Sequence, residues 1–397
     1  MSDAELQIVD AAIDTLLGDH DPETESYHEF RGHQFDAGLA WVKWPQGEGG
    51  LGVAPQMQKH VNKRLSDAGA PPTEPKQFFM YLAGPTIATH GDEAVKTRFL
   101  RPMFTGEELW CQLFSEPGAG SDFAGLGTKA VKDGDEWIIN GQKVWNTLAH
   151  IADFGMLVTR TDPHVPKHRG MTYFALDMKS NGVDVRPLRQ ITGEAEFNEV
   201  YMTDARIPDG HRIGAEGEGW RAALTTLMNE RTAIGGSGGG GGPRRGSGAI
   251  GMLVDIYKKN ATDSAVDRDD VAQLWIRAEV LRLTNMRAAQ MARSGNPGPE
   301  GSVGKAMMAF INQDIWEKAV DLQGMAGQLD YDYTFRRPES SDMIGTGAGY
   351  AFLRARANTI EGGTSEVMKN ILGEQVLGLP GEPRVDKSIP WIEVPRG

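Results

Sequence analysis

The sequence predicts an α+β chain of three successive units, helical over residues 1–108, β over 109–219 and helical over 220–397. Two observations carry this. Apolar residues recur with helical spacing to about Phe104, switch to a period of two near Leu109, and return to helical spacing at Gly219. A length of 397 residues also suffices for two or three domains with ample buried core.

In the first unit, "ELQIVDAAIDTLL" and "PKQFFMYLAGPTIATHG" place apolar side chains at i, i+3 and i+4, and loops rich in Gly and Pro separate the helical pieces. In the second, "WIINGQKVW", "FGMLVTR", "MTYFALDM", "VDVRPLR" and "EVYMTDARIP" are short β-branched and aromatic runs punctuated by "KDGDE", "TDP" and "SNG". In the third, helical spacing runs through "GWRAALTTLMNERTAI", "VAQLWIRAEVLRLTNMRAAQMAR", "GKAMMAFINQDIWEKAVDLQGM" and a last helix before Leu379. The stretch "GGSGGGGGPRRGSG" over 235–248 interrupts it, because Gly costs about 1 kcal/mol per helical site relative to Ala. It reads as a loop: either a tolerated surface insertion, or a gate or phosphate-contacting hinge through Arg244 and Arg245.

Composition narrows the class. A formal net charge of -13 argues against nucleic acid or an anionic membrane surface, both of which need a basic footprint. The single cysteine, Cys111, excludes an intramolecular disulfide and a cysteine metal cluster, which suits a reducing cytoplasm. It sits in an apolar strand, where an inert buried thiol is expected. "MSDAELQIVDAAIDTLLGD" has early acids and no long apolar core, so neither signal peptide nor membrane insertion is read, and a cytoplasmic location is expected.

Two motifs fail on context. "GEGGLG" matches G-x-G-x-x-G, but no apolar strand precedes it and no helix opens after it. "HEFRGH" sets His28 and His33 five apart around Glu29, whereas a zinc helix needs i and i+4, so no metal site is expected. Two others survive. In "FSEPGAGSD" small residues let backbone N–H groups approach an anion or a planar ring, with Ser115 and Ser121 as added donors; an ordinary turn is the other reading. "NGQKVWNT" ends a strand in Trp145, Asn146 and Thr147, an aromatic plate beside a hydroxyl, or else a core tryptophan.

Together with "WPQGEGGLG" and the terminal "GGTSE" and "LGLP", these motifs stand in the order and spacing of the acyl-CoA dehydrogenase family, which the chain resembles over nearly its whole length. The resemblance implies an α-helical domain, a middle β-barrel and a C-terminal four-helix bundle, with FAD between barrel and bundle. It implies an enzyme of fatty-acid β-oxidation that oxidises an acyl-CoA thioester to the trans-2-enoyl-CoA and passes electrons to electron-transfer flavoprotein. It also implies a homo-oligomer, dimer or tetramer. By position, Phe114 and Ser115 would meet the flavin or its ribityl region, and Gly120 and Ser121 the pyrophosphate or the pantetheine of the substrate. Trp145 would pack on the flavin face opposite the substrate, Thr147 would donate to flavin N5, and Thr364 and Glu366 would contact FAD near a helix start. Gln323, in "DLQGMAGQ", would lie against the FAD of a neighbouring subunit.

The family reaction needs a base for the α-proton and a site for the thioester oxygen. In medium-chain acyl-CoA dehydrogenase the base directly precedes G-T-S, and here that residue is Gly362, which keeps the backbone N–H that holds the oxygen but has no carboxylate. Isovaleryl- and long-chain-like branches carry the base on an earlier helix before an arginine, which here is Glu230 before Arg231. On a helix from Trp220 to Ile234, the residues Trp220, Ala223, Leu224, Leu227, Met228 and Ile234 fall on one face, with Arg231 in its middle and Glu230 at its edge. An arginine on an apolar stripe needs a pair or a ligand, so Arg231 is expected to contact substrate. Glu361 is one place out of register. The family's R-x-x-F-G motif is missing, and Arg268 is the stand-in for its arginine. The departures leave two alternatives: a non-catalytic or partner-dependent subunit of a heteromeric dehydrogenase, or a relative of the oxygen-using oxidases and flavin monooxygenases.

Overall fold

The computed structural model describes residues 2–235, 244–260, 264–293, 301–329, 334–340 and 347–395. Five helices come first: α1 (Asp3–Asp19), α2 (Tyr27–Asp36), α3 (Met57–Asp67), α4 (Met80–His90) and α5 (Glu93–Thr105). Capping boxes, Ser2 with Glu5 and Ser26 with Glu29, start α1 and α2 by satisfying N–H groups that a first turn leaves unpaired. Glu29 is therefore a cap, and His28 turns to the Thr105 carbonyl. His33 instead stacks on His20, ring centroids 3.5 Å apart at 13°, with Glu25 2.8 Å from His20 Nδ1. Imidazole lone pairs lie in the ring planes, so two nearly parallel stacked rings do not aim at one metal ion. The "GEGGLG" stretch is a loop pressed on its own neighbour: a Cβ on Gly50 would stand 2.0 Å from the Trp44 carbonyl oxygen.

Seven strands follow: β1 (Trp110–Leu113), β2 (Lys129–Asp133), β3 (Glu136–Thr147), β4 (Phe154–Arg160), β5 (Met171–Asp177), β6 (Val183–Pro187) and β7 (Phe197–Pro208). They form one curled sheet in the order β1-β4-β2-β3-β7-β6, with β5 also paired to β4. Every residue of β4 is buried. Leu157 packs with Trp137, Phe174 and Val200 on one face, while Phe154, Met156 and Val158 join Phe99 and Met103 of α5 on the other. Burial on both faces explains the continuous apolar run where a half-exposed strand would alternate. The "KDGDE" stretch closes the β2–β3 hairpin, and β2 escapes the sequence pattern because only Ala130 of its five residues is buried.

The chain then returns to helix as α6 (Gly219–Gly235), α7 (Ala249–Asn260), α8 (Ala265–Arg293), α9 (Gly301–Asp321), α10 (Ala348–Ala355) and α11 (Ser365–Ile371). Leu253, Leu274, Leu281, Ile311 and Ile315 are the centre of the bundle core. Only part of the expected apolar face of α6 is turned inward: Ala223 is buried, and Trp220 and Leu227 pack against the core. Leu224 and Met228 are 40% and 59% exposed, whereas Ala222, Ala223 and Thr226 are buried. Small side chains allow close approach of α6 to α4 and β5, and the Thr226 hydroxyl meets Thr86 Oγ1 at 2.8 Å and the Tyr173 hydroxyl at 3.1 Å. Glu230 is one helical turn beyond Thr226 and so follows the buried line of the helix. Among the described residues, no helix is long and apolar enough to cross a membrane.

Candidate active site

β1 runs directly into "FSEPGAGSD", and β3 locks that turn in place. The Val144 N–H donates to the Ser115 carbonyl at 2.9 Å. Lys143, fully buried, donates to the Phe114 carbonyl at 3.1 Å and pairs with Glu116 at 2.8 Å. Glu116 also accepts from the N–H groups of Gly127 and Thr128, at 2.7 and 2.9 Å. Burial pushes its pKa up, but Lys143 and these donors outweigh that and hold the carboxylate below its ordinary range. The tip of the turn, Pro117, Gly118, Gly120, Ser121 and Asp122, is exposed. A Cβ added to Gly118 or Gly120 would meet nothing within 4 Å among the described residues, so packing against them does not demand glycine there.

Where β3 ends, its register with β7 slips between Lys143 and Asn146, and Trp145 adopts φ 62. A bulky residue in the left-handed region is strained, and a bulge is how a strand re-aims one side chain. The Trp145 indole is 58% exposed and meets Phe197 edge-on at 5.8 Å, the opposite of a core tryptophan. Half-buried Thr147 stands two residues on. Between them, buried Asn146 donates to the Gln112 carbonyl at 2.8 Å, and its Oδ1 has no hydrogen-bond partner among the described residues.

The third piece is "NTIEGGTSEVMKN". Gly362 and Gly363 take φ 61 and 92, a doubled left-handed turn that glycine adopts without strain. Lys305 of α9, 8% exposed, clamps the segment by donating to the carbonyls of Asn358 and Gly363, both at 2.7 Å. Burial lowers its pKa. Exchange of Lys305 for methionine orphans both carbonyls and is expected to destabilise the protein by about 2 kcal/mol, read from denaturant midpoints. Thr364 caps α11, its hydroxyl oxygen accepting from the Val367 N–H at 3.1 Å, and Glu366 lies exposed in the first turn. Glu361 is engaged elsewhere: Arg354 donates to its two oxygens at 3.1 and 2.9 Å, and the Asn358 amide donates at 2.7 Å. The same guanidinium lies 3.6 Å from Glu196 at the end of the β domain.

Glu230 of α6 reaches β1. Its Oε2 accepts from Gln112 Nε2 of β1 at 3.3 Å, which brings the α6 carboxylate to the strand that feeds the glycine turn. The Arg231 side chain and residues 236–243 of the glycine loop lie outside the described residues. Arg245 rests over the Trp275 ring at 4.8 Å, and Arg268 lines an open groove between α7 and α8 with Tyr257 and Trp275. The Gln323 amide donates to the Ala319 carbonyl in the last turn of α9. Among the described residues, no hydrogen bond joins Arg245, Arg268 or Gln323 to the cluster around Trp145. Sequence reasoning missed Gln112, Lys143, Lys305 and Arg354. The first two left a signal, a polar residue inside a strand.

These features fit FAD. An exposed indole on a strained bulge suits a planar ring, the hydroxyls of Ser115 and Thr147 are donors of the right kind, and the uncovered glycine tip leaves room for a phosphate tail.

The family models of the acyl-CoA dehydrogenase middle and C-terminal domains match residues 111–205 and 217–377. The chain is 37% identical over 346 residues to acyl-CoA dehydrogenase FadE34 of Mycobacterium tuberculosis, a match covering 87% of this chain but only 45% of that one. It is 34% identical over 372 residues to acyl-CoA dehydrogenase IpdE1 of the same organism, covering 93% and 92%. Among solved structures, it is similar to the ChsE4-ChsE5 complex from Mycobacterium tuberculosis, at TM-score 0.69 and 25% identity over 96% of this chain and 99% of that one. The Tcur3481-Tcur3483 steroid ACAD gives the same values. Motifs, architecture and full-length relatives agree, and the chain belongs to the acyl-CoA dehydrogenase family of FAD-dependent oxidoreductases.

Proposed function

We propose that this chain dehydrogenates an acyl-CoA thioester between Cα and Cβ, with Glu230 taking the α-proton and the Gly362 N–H holding the thioester oxygen. The observation that carries the proposal is the reach of Glu230 from α6 to Gln112 of β1, while Glu361 is bound by Arg354 and Gly362 has no side chain. A thioester α-proton is weakly acidic, so the carboxylate must stand ready as its negative charge moves onto the oxygen, and a fixed N–H at that oxygen lowers the barrier. FAD, when bound, supplies the hydride acceptor. Trp145 would support one face of its ring, Ser115 and Thr147 would orient it, and Gly120 and Ser121 would border the phosphates or the pantetheine arm. Electron-transfer flavoprotein is the acceptor this reading implies. The steroid dehydrogenase among the similar structures favours an acyl group carried on a bulky ring system over a plain fatty chain.

Anaerobic mixing of the FAD-loaded protein with steroid-linked and straight-chain acyl-CoA thioesters tests this reading. Loss of the visible flavin band in wild type but not in Glu230→Gln supports it, and equal loss in both overturns it. Trp145→Ala is expected to leave the melting temperature of the FAD-free protein unchanged, since the indole is exposed, yet to weaken FAD binding about tenfold, by fluorescence titration.

A second reading has its own observations. The missing R-x-x-F-G motif and Gly362 leave part of the family's equipment to another chain, and the ChsE4-ChsE5 neighbour is a complex of two different chains. On this reading the protein works as a heteromer, and turnover appears only when a related chain co-purifies.

A further inference from the structure

We infer that Gln112 is a positioning residue that fixes Glu230 relative to the flavin platform, an inference that rests on the assignment of Glu230 as the base. Gln112 stands in β1 between fully buried Cys111 and Leu113, and strand alternation turns its side chain to the opposite face, where α6 lies. There Nε2 donates to Glu230 Oε2 at 3.3 Å. Its main-chain carbonyl accepts from Asn146 Nδ2 at 2.8 Å, and Asn146 is the residue between Trp145 and Thr147. The second anchor is itself held: Asn198 Nδ2 donates to the Asn146 carbonyl at 3.0 Å, and Arg337 Nη2 donates to Asn198 Oδ1 at 2.6 Å.

One residue is thus tied by its side chain to the carboxylate on the C-terminal unit and by its backbone to the bulge on the β unit. The distance from base to platform is set by a covalent residue and two hydrogen bonds instead of by packing between domains alone. The residue type matters as well. A neutral amide donor favours the ionised carboxylate without converting it into an ion pair, as lysine would, and without the repulsion an acid would add. A packing role alone would be met by leucine or methionine of similar volume, which bring no donor to Glu230.

The FAD-loaded protein, with any chain that co-purifies, is titrated from about pH 4 to about pH 9, a range that includes the ordinary carboxylate value, while the visible flavin band is followed. A carboxylate that ionises beside the isoalloxazine perturbs that band, and the step missing from Glu230→Gln belongs to Glu230. In Gln112→Leu and Gln112→Met this step is expected to move up by about one pH unit, roughly tenfold in proton affinity, because a donor to the charged form is lost. Gln112→Glu is expected to move it further, through like charge. An unmoved step in Gln112→Leu and Gln112→Met at full FAD content overturns the role of Gln112 and leaves Glu230 standing. A titration that Glu230→Gln does not alter places Glu230 away from the flavin and overturns both.

Discussion

Glu230→Gln is expected to slow reduction of the bound flavin by an acyl-CoA thioester about 10³-fold, within the range that a positioned general base contributes. Thioester binding and FAD content should stay near wild type, because glutamine keeps the volume of the side chain and can still hydrogen-bond with the Gln112 amide through its own oxygen. Stopped-flow absorbance gives the rate, and the spectral shift on binding gives the affinity. The control is Glu361→Gln. That side chain shares Arg354 and Asn358, so its exchange should weaken the segment around Gly362 and leave the proton transfer largely intact. Reversal of the two outcomes would return the base to the loop.

The second large effect concerns stability. Arg354→Met is expected to cost about 3 kcal/mol, since removal of one partner from a buried ion pair leaves the other charge uncompensated. Arg354 is 9% exposed and lies between Glu361 and Glu196, so it joins the glycine segment to the β unit. The loss should depend on pH. Burial holds the Glu196 pKa above its ordinary value; Arg354 opposes this, and Glu194 and Glu361 add to it. A carboxyl raised in the folded state contributes stability that is present below its unfolded pKa and lost as pH rises through the folded one. Without Arg354 the folded value rises further, so the deficit against wild type should be larger at about pH 8 than at about pH 5. Denaturant midpoints at both pH values decide it.

The element order and the motif turns were legible because they are local: period, turn residues and short fixed spacings are written along the chain. β2 was not, because a strand with one buried residue in five has no alternation to read. The inner face of α6 was legible in part: Trp220, Ala223 and Leu227 do turn to the core, but the contact with α4 selects small side chains, brings in Ala222 and Thr226 and leaves Leu224 and Met228 outside. Glu230 was placed by family position, and its reach to Gln112 spans a separation that no window of sequence contains. Nothing in the sequence singles out Lys305 or Arg354; the fold supplies two carbonyls for one and two carboxylates for the other.

Cys111 shares β1 with Gln112 and is wholly buried, with burial pushing its thiol pKa up. It is the one sulfhydryl in the sequence. A reagent such as an aromatic disulfide reaches it once β1 parts from β4, and that movement displaces Gln112, whose amide donates to Glu230, together with the entrance to the glycine turn. Thiol–disulfide exchange at this position therefore clocks the opening of the seam beside β1 in the native chain, with no label to engineer. Cofactor or thioester that prefers the closed seam must slow the clock in proportion to its occupancy.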